Sequence, residues 1–467
     1  MNNINNDKDK AKKSLYSTIK KMVPAIFTAM TATILGFIAL STSPVPMIQD
    51  FGKMLTVGMI ISFVFALFFL LPILFTRDHF FTPKMKDKIN KPKKAKRIVV
   101  IDRLLEWFTQ KTIAFRWGII ILAFVAATFG IMVDLDADVE TDVETFMPQD
   151  SQELADIHKL RDILGTTDQV SLVYQGEDIL NDESLVWVDK MSESLPEEFP
   201  DVVVETKSIT GILKQMNDNE LPSGSEIRDQ IAEMPEGQSK LFVNEDHSKG
   251  VITVGIKHLE AADLEEFLGN LNLYLNENKL DSLDTTITGK SVLDVEMIDG
   301  LAGGRYQMTL LGAGFVFLGL LLLYRHPVKA FIPLLPILLI VGWSGMMMHF
   351  LGLNYTPLTA TLGALIIGIG TEFTILIMER YFEEREKGHA KVDAMKITNK
   401  TIGKAIFATA LANIGGFSAL VASDFVILSD FGLMTLINIS LALLSTIVVL
   451  PSILIILDRF VKIKQTT

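Results

Sequence analysis

The chain of 467 residues contains no cysteine. That removes disulfides, thiol catalysis and cysteine-ligated zinc together. Its seven histidines are scattered, with no pair four residues apart, so no helical face presents two imidazoles to a metal. A phosphate loop is also missing. Thr288–Ser291 reads TGKS, but the position five residues before Gly289 is Asp284, where such a loop needs glycine. An ATP-driven pump therefore finds no support. The first thirteen residues, MNNINNDKDKAKK, are polar, and the apolar run after them is long enough to span a bilayer, so nothing there resembles a cleavable signal peptide.

What is present is apolar. Mean hydropathy is +0.36 and 49% of residues are hydrophobic, too much for one soluble domain of this length. Eight uncharged or nearly uncharged segments approach the ~20 residues that a bilayer-spanning helix needs. They predict spans at about 23–43, 53–75, 116–133, 307–324, 329–349, 355–378, 402–422 and 431–456.

Charge divides the chain sharply. From Asp134 to Arg305 there are 39 acidic and 12 basic residues, whereas the remainder carries 16 acidic and 31 basic. Short loops rich in Lys and Arg stay in the cytoplasm. The segment Arg77–Arg97 (RDHFFTPKMKDKINKPKKAKR) is the strongest such signal, and the N-terminal lysines and Arg325–Lys329 agree with it. The expected layout is a basic cytoplasmic tail (1–22), two spans (23–76), a basic cytoplasmic linker (77–115) and a third span (116–133). An acidic extracytoplasmic domain (134–306), five spans (307–457) and a cytoplasmic tail (458–467) follow. Both termini then lie inside, in the cell membrane of what reads as a prokaryote.

Within the acidic block, strand and helix patterns alternate. Asp168–Gln175 (DQVSLVYQ) and Asp201–Ser208 (DVVVETKS) read as strands around an amphipathic helix at Asp182–Phe199. A short helix follows at SEIRDQIAEM, then a hairpin turning at EDHSKG, a helix at LEEFLGNLNLYLNENK and a last strand at DTTITGK. These units predict an α+β sandwich of ferredoxin-like βαβ type.

Residues 25–54 and 405–434 repeat one another at an offset of 380, with 14 identities in 30 positions. Gly36/Gly416, Phe37/Phe417, Asp50/Asp430 and Gly52/Gly432 are among the matches. Internal repeats in a membrane protein are typical of transporters built from related halves. The last two spans occur twice, whereas the acidic domain and the spans beside it occur once.

GIGTEFTILIMERYFEERE (Gly368–Glu386), ETFMPQDSQELADIHKLRDILGTTDQVSLVYQGED (Glu144–Asp178) and the repeated pairing of FG with LP resemble the resistance–nodulation–division (RND) superfamily of exporters. The resemblance is nearest its lipid- and hydrophobe-exporting MMPL branch and covers about Lys13 to Phe460. It implies the last two spans of a first half followed by a complete second half, with the acidic block as a porter domain. It also implies a proton-driven exporter, not an enzyme, with a hydrophobic, lipid-like substrate and no cofactor beyond the proton gradient (or a sodium gradient). The family's acidic–aromatic pair of the fourth span in a half falls on Glu372 and Phe373; the aromatic hydroxyl common there is absent. A second chain supplying the remaining first-half spans, or a second copy, is the expected partner.

Glu372 is the only charged residue between Tyr355 and Met378. An ionised carboxylate in hydrocarbon costs on the order of 2.5–3.5 kcal/mol on insertion scales. It should therefore face protein or water and hold a proton part of the time, which suits it to carry one across. Gly368 and Gly370 leave room for neighbouring helices, Thr371 and Thr374 offer hydroxyls, and Asn413 is the expected hydrogen-bond partner on the next span. The hydroxyls have an alternative, capping their own helix. Gly312/Gly314 and Gly415/Gly416 are expected at close helix contacts, and Glu379–Lys396 as a surface helix of alternating charge. A non-transporting sensor or scaffold, a gradient-driven accessory to protein secretion and an inert gene fragment are the rival functions.

Overall fold

The computed structural model describes residues 23–70, 72, 73, 76 and 109–461, apart from 136, 138, 141, 167 and 223. The basic tail and most of the basic linker lie outside the described residues, as does the end of the C-terminal tail. Two compact units emerge: residues 1–139 with 300–467, and Glu140–Asp299. The edges expected at 134 and 306 thus move inward, and Asp134 and Arg305 belong to the helical unit.

Among the described residues, that unit contains eight helices long and apolar enough to cross a membrane: Val23–Thr42, Pro46–Leu70, Arg116–Asp134, Gly303–Tyr324, Pro327–Leu351, Thr359–Glu386, Gly403–Val421 and Val426–Phe460, here the first to eighth spans. Small residues set their packing. The third and fifth spans approach so closely that a Cβ on Gly130 would land on the Gly342 carbonyl, and one on Gly345 would sit 2.6 Å from Asp134 Cβ. Close backbone approach through glycine is how helices associate where lipid supplies no hydrophobic drive. Trp343 fixes the pair by donating its indole N–H to the Ala123 carbonyl, 3.1 Å away.

At the offset of 380 the first two spans and the last two are built alike. A Cβ on Gly52 would meet Leu40 Cβ at 2.6 Å, and one on Gly432 would meet Leu420 Cβ at 2.7 Å. The Ser43 hydroxyl accepts from the Val45 amide at 3.1 Å, and that of Ser423 from the Phe425 amide at 3.2 Å. Both second helices loosen into a π-helical turn, Ala66–Leu70 and Ser445–Val449.

The second unit is an antiparallel sheet of β1 (Asp168–Gln175), β2 (Val203–Lys207), β3 (Lys249–Ile256) and β4 (Asp284–Thr288) in the order β2-β3-β1-β4. The register pairs Leu172 with Ile252 and with Ile287. Helix Asp182–Glu198 joins β1 to β2 and Ala261–Glu277 joins β3 to β4, the split βαβ arrangement of ferredoxin-like folds. Alternation decides the faces: Val170, Leu172 and Tyr174 of β1 point inward and are fully buried. Leu185, Val188, Met191 and Leu195 recur at helical spacing and belong to the same core. Burying each such side chain contributes about 1.5–3 kcal/mol. Asn181 caps that helix through the Ser184 amide at 2.8 Å. Gly250 is required because the Tyr174 ring fills the space of a Cβ.

Two expectations change. The hairpin keeps its turn, but its first arm shrinks to a single Val243–Gly250 bridge. Asn244 turns the chain instead, its side-chain oxygen accepting from the Ser248 and Lys249 amides, each at 2.9 Å. Glu379–Lys396 is not one solvated helix. The sixth span continues to Glu386, the chain turns at Gly388, and Lys391–Thr401 forms a second helix. Tyr381 and Glu384 are buried there, and Asp458 accepts from Tyr381 Oη and Arg385 Nε, each at 2.9 Å. The alternating charges satisfy one another and this neighbour rather than water.

Candidate functional site

The sixth span places Glu372 at its middle, the fourteenth of 28 residues. Four residues earlier, Gly368 meets the first span. A Cβ on Gly368 would lie 2.6 Å from Phe37 Cε1, and one on Gly36 would lie 3.3 Å from the Gly368 nitrogen. Thr33 closes the contact by donating its hydroxyl to the Gly368 carbonyl at 2.9 Å. Because residues four, three and seven apart share a helix face, Glu372 leaves the helix between Gly368 and the Leu365–Ile369 stripe. It is partly exposed, and among the described residues it makes no hydrogen bond or ion pair.

The supporting residues fall elsewhere. The Thr371 hydroxyl donates to the Ile367 carbonyl at 2.7 Å and the Thr374 hydroxyl to the Thr371 carbonyl at 3.0 Å, so both cap their own helix. Phe373 is buried in the bundle core. Gly370 lies against Ile337. Asn413 forms no hydrogen bond to Glu372; it is Thr33, its counterpart at the offset of 380, that reaches the sixth span. Of the glycine pairs, a Cβ on Gly312 would pack on Ala39 at 3.3 Å, whereas one on Gly314, Gly415 or Gly416 would meet nothing within 4 Å among the described residues.

A second constellation has no local sequence signal. Asp134, ending the third span, accepts the Tyr306 hydroxyl at 2.5 Å and the Tyr355 hydroxyl at 2.7 Å on separate carboxylate oxygens. Arg305 donates to the Asp134 backbone carbonyl, with its Nη2 3.5 Å from Oδ2. Its guanidinium lies over the Tyr355 ring, 4.1 Å from the centroid. Burial, together with the Asp134 charge, pushes the Tyr355 phenol above the usual tyrosine range and keeps it a donor. The hint in the sequence is one acid closing a span and one base opening the next. Their partnership spans 171 residues and needed the fold.

Two small cavities border the sixth span. One, of about 30 Å³, is lined by Arg305, Tyr355, Ser344, Gly363 and Ile366 among others. The other, of about 10 Å³, is lined by Ile366, Ile369, Gly370, Thr435 and Asn438 among others. No group of three or more His, Asp or Glu side chains suited to a metal occurs among the described residues.

Comparison with known proteins settles the family. Residues 188–467 match the MMPL family, more than half of the chain. The chain belongs to the MMPL family. It is therefore a multi-pass membrane protein within the RND superfamily of transporters. Membrane protein MJ1562 of Methanocaldococcus jannaschii is 25% identical over 337 residues, 69% of this chain and 86% of that protein. MmpL8 of Mycobacterium bovis, named a probable transport protein, is 24% identical over 144 residues, 30% of this chain and 13% of that one. The fold is similar to that of the hedgehog release protein Disp from the water bear Hypsibius dujardini, with a TM-score of 0.61 and 12% identity. That match covers 94% of this MMPL chain and 59% of the Disp chain.

Proposed function

We propose that this MMPL protein is part of a secondary exporter that uses an ion gradient to move a hydrophobic or amphipathic, lipid-like substrate. Glu372 is its proton carrier. The observation that supports this is an unpaired carboxylate in mid-span, set between two packed faces of its helix. A group kept from hydrogen-bond partners at that depth is costly unless its protonation changes during work. The membrane potential supplies about 2.3 kcal/mol per charge per 100 mV, enough for modest uphill transport without ATP. Protons are favoured over sodium because one carboxylate with no convergent oxygens is a poor cage for a metal ion. The substrate class is the one that resemblance to the MMPL branch implies, and transport is the activity named for MmpL8. The termini lie in the cytoplasm and Glu140–Asp299 outside, in keeping with the basic flanks.

The matching hairpins support a duplication, and the exposed face of the seventh span supports a second chain there. In the first copy Thr33 and Gly36 pack on the sixth span. In the second, Asn413 is partly exposed and Gly416 is exposed. An amide in that position is ill-suited to lipid. A transmembrane helix of a second chain, small at the crossing point as Gly368 is, completes this face.

The test uses membrane vesicles from cells making the chain with its partners. An imposed proton gradient should drive uptake of a fluorescent amphiphile into inverted vesicles, and Glu372→Gln should abolish it while the chain is still made. Undiminished uptake by that variant would sink the proposal.

A further inference from the structure

Among the described residues, buried polar atoms without a protein partner occur on both cavities that border the sixth span. Arg305, 6% exposed, has its Nε and Nη1 unpaired. Asn438, 4% exposed, has both amide atoms unpaired. Nearly all buried polar groups in proteins are hydrogen-bonded to protein or to ordered water. We infer that the two cavities hold ordered water and form a proton route along the sixth and eighth spans to Glu372, with Ile366 as its gate. This rests on the reading of Glu372 as the proton carrier.

Chemistry selects water over an ion. The Arg305 charge is already faced by Asp134, so an added anion would be a buried charge of its own. The unpaired groups include donors (the guanidinium and amide N–H) and an acceptor (the amide oxygen). Water satisfies both kinds and a monatomic ion only one. Size agrees, since a water needs roughly 10–15 Å³ of cavity volume. The first cavity, at about 30 Å³, admits two, and the second, at about 10 Å³, lies at the limit for one.

Ile366 lines both cavities. A rotamer change there, or a small shift of the helix, would join the two. Ile369 borders the second cavity, and Glu372 lies three residues further, about 4.5 Å along the axis. Thr435, whose hydroxyl donates to the Phe431 carbonyl at 2.7 Å, keeps acceptor capacity toward the second cavity. Each water takes a proton on one side and releases one on the other. The last transfer converts the Glu372 carboxylate to the neutral acid, and no electron moves. The titratable groups bordering the route are Asp134, Arg305, Tyr306 and Tyr355, all on the first cavity.

The experiment is a proton jump on lipid-reconstituted protein, followed by time-resolved infrared absorption of the Glu372 carboxyl. Asn438→Leu should slow protonation at least tenfold while leaving the final amplitude intact. Asn438→Ser, which keeps a polar group, should restore most of the rate, and Ile366→Ala should raise it above wild type. If the leucine and alanine variants both stay within twofold of wild type, the proton arrives elsewhere and the route is wrong, although the carrier reading stands. If wild type and Glu372→Gln give the same signal, the carrier reading fails and the route falls with it.

Discussion

Phe51 and Phe431 meet edge to face, ring centroids 6.0 Å apart and planes at 86°. Each is the other's counterpart at the offset of 380. The second and eighth spans therefore touch at equivalent positions of the repeat. Edge-to-face pairs contribute about 0.5–1.5 kcal/mol beyond their buried area. Phe51→Ala and Phe431→Ala should each destabilise the bundle, and the double variant should cost less than the sum by about that amount. Strict additivity in thermal unfolding would mean that the rings do not support one another.

The first and sixth spans give a sharper contrast. Gly368→Ala would press a methyl into the Phe37 ring and should cost about 1–3 kcal/mol through overpacking. Gly416→Ala meets nothing within 4 Å among the described residues and, by relieving glycine's entropy in a helix, should be neutral or mildly stabilising for the purified chain. Melting temperatures of the two variants decide it, and equal losses would contradict the packing described.

That silence should end in the native membrane. Gly416→Leu would fill the face where a second chain is proposed. Native mass spectrometry of gently extracted protein should then show a second polypeptide with the wild type and lose it with this variant. A wild-type chain that travels alone, or only with its own copies, would remove the partner.

The sheet domain carries a pH signature. Lys214 donates to Asp189 Oδ2 at 2.6 Å and to Glu193 Oε1 at 2.8 Å, and these bonds hold its ammonium above the usual lysine range. A raised base stabilises the fold fully below the unfolded pKa, and the gain fades as pH rises through the folded value. Protection of helix Ile209–Met216 from hydrogen exchange should therefore fall in strongly alkaline buffer beyond that of its neighbours. Lys214→Met should lose that extra alkaline sensitivity, at a neutral-pH cost of about 0.2–1 kcal/mol. The same alkaline loss in both proteins would assign the effect to another group.

Much of this was legible because its signals are local. Asp168–Gln175 alternates residue by residue, and the spans are single uncharged runs, so neighbours alone define both. The Asp134–Tyr355 bond was not legible, because 221 residues separate its ends and neither has a patterned neighbourhood. Asn413 was expected because it lies on the next span, but contact is made by its counterpart in the repeat, because Gly36 lies against Gly368 whereas a Cβ on Gly416 meets nothing within 4 Å among the described residues. Thr371 and Thr374 turned inward for a general reason: a hydroxyl in an apolar helix satisfies itself most cheaply on the carbonyl three or four residues back.

Exchange of a proton by Glu372 within the bundle can be observed directly. Infrared difference spectra of lipid-embedded protein, recorded as pH is stepped, measure this without knowledge of the substrate. The account predicts a protonated-carboxyl carbonyl band that titrates reversibly, shifts in heavy water and is absent from Glu372→Gln. Identical difference spectra for the two proteins across the whole range would contradict it.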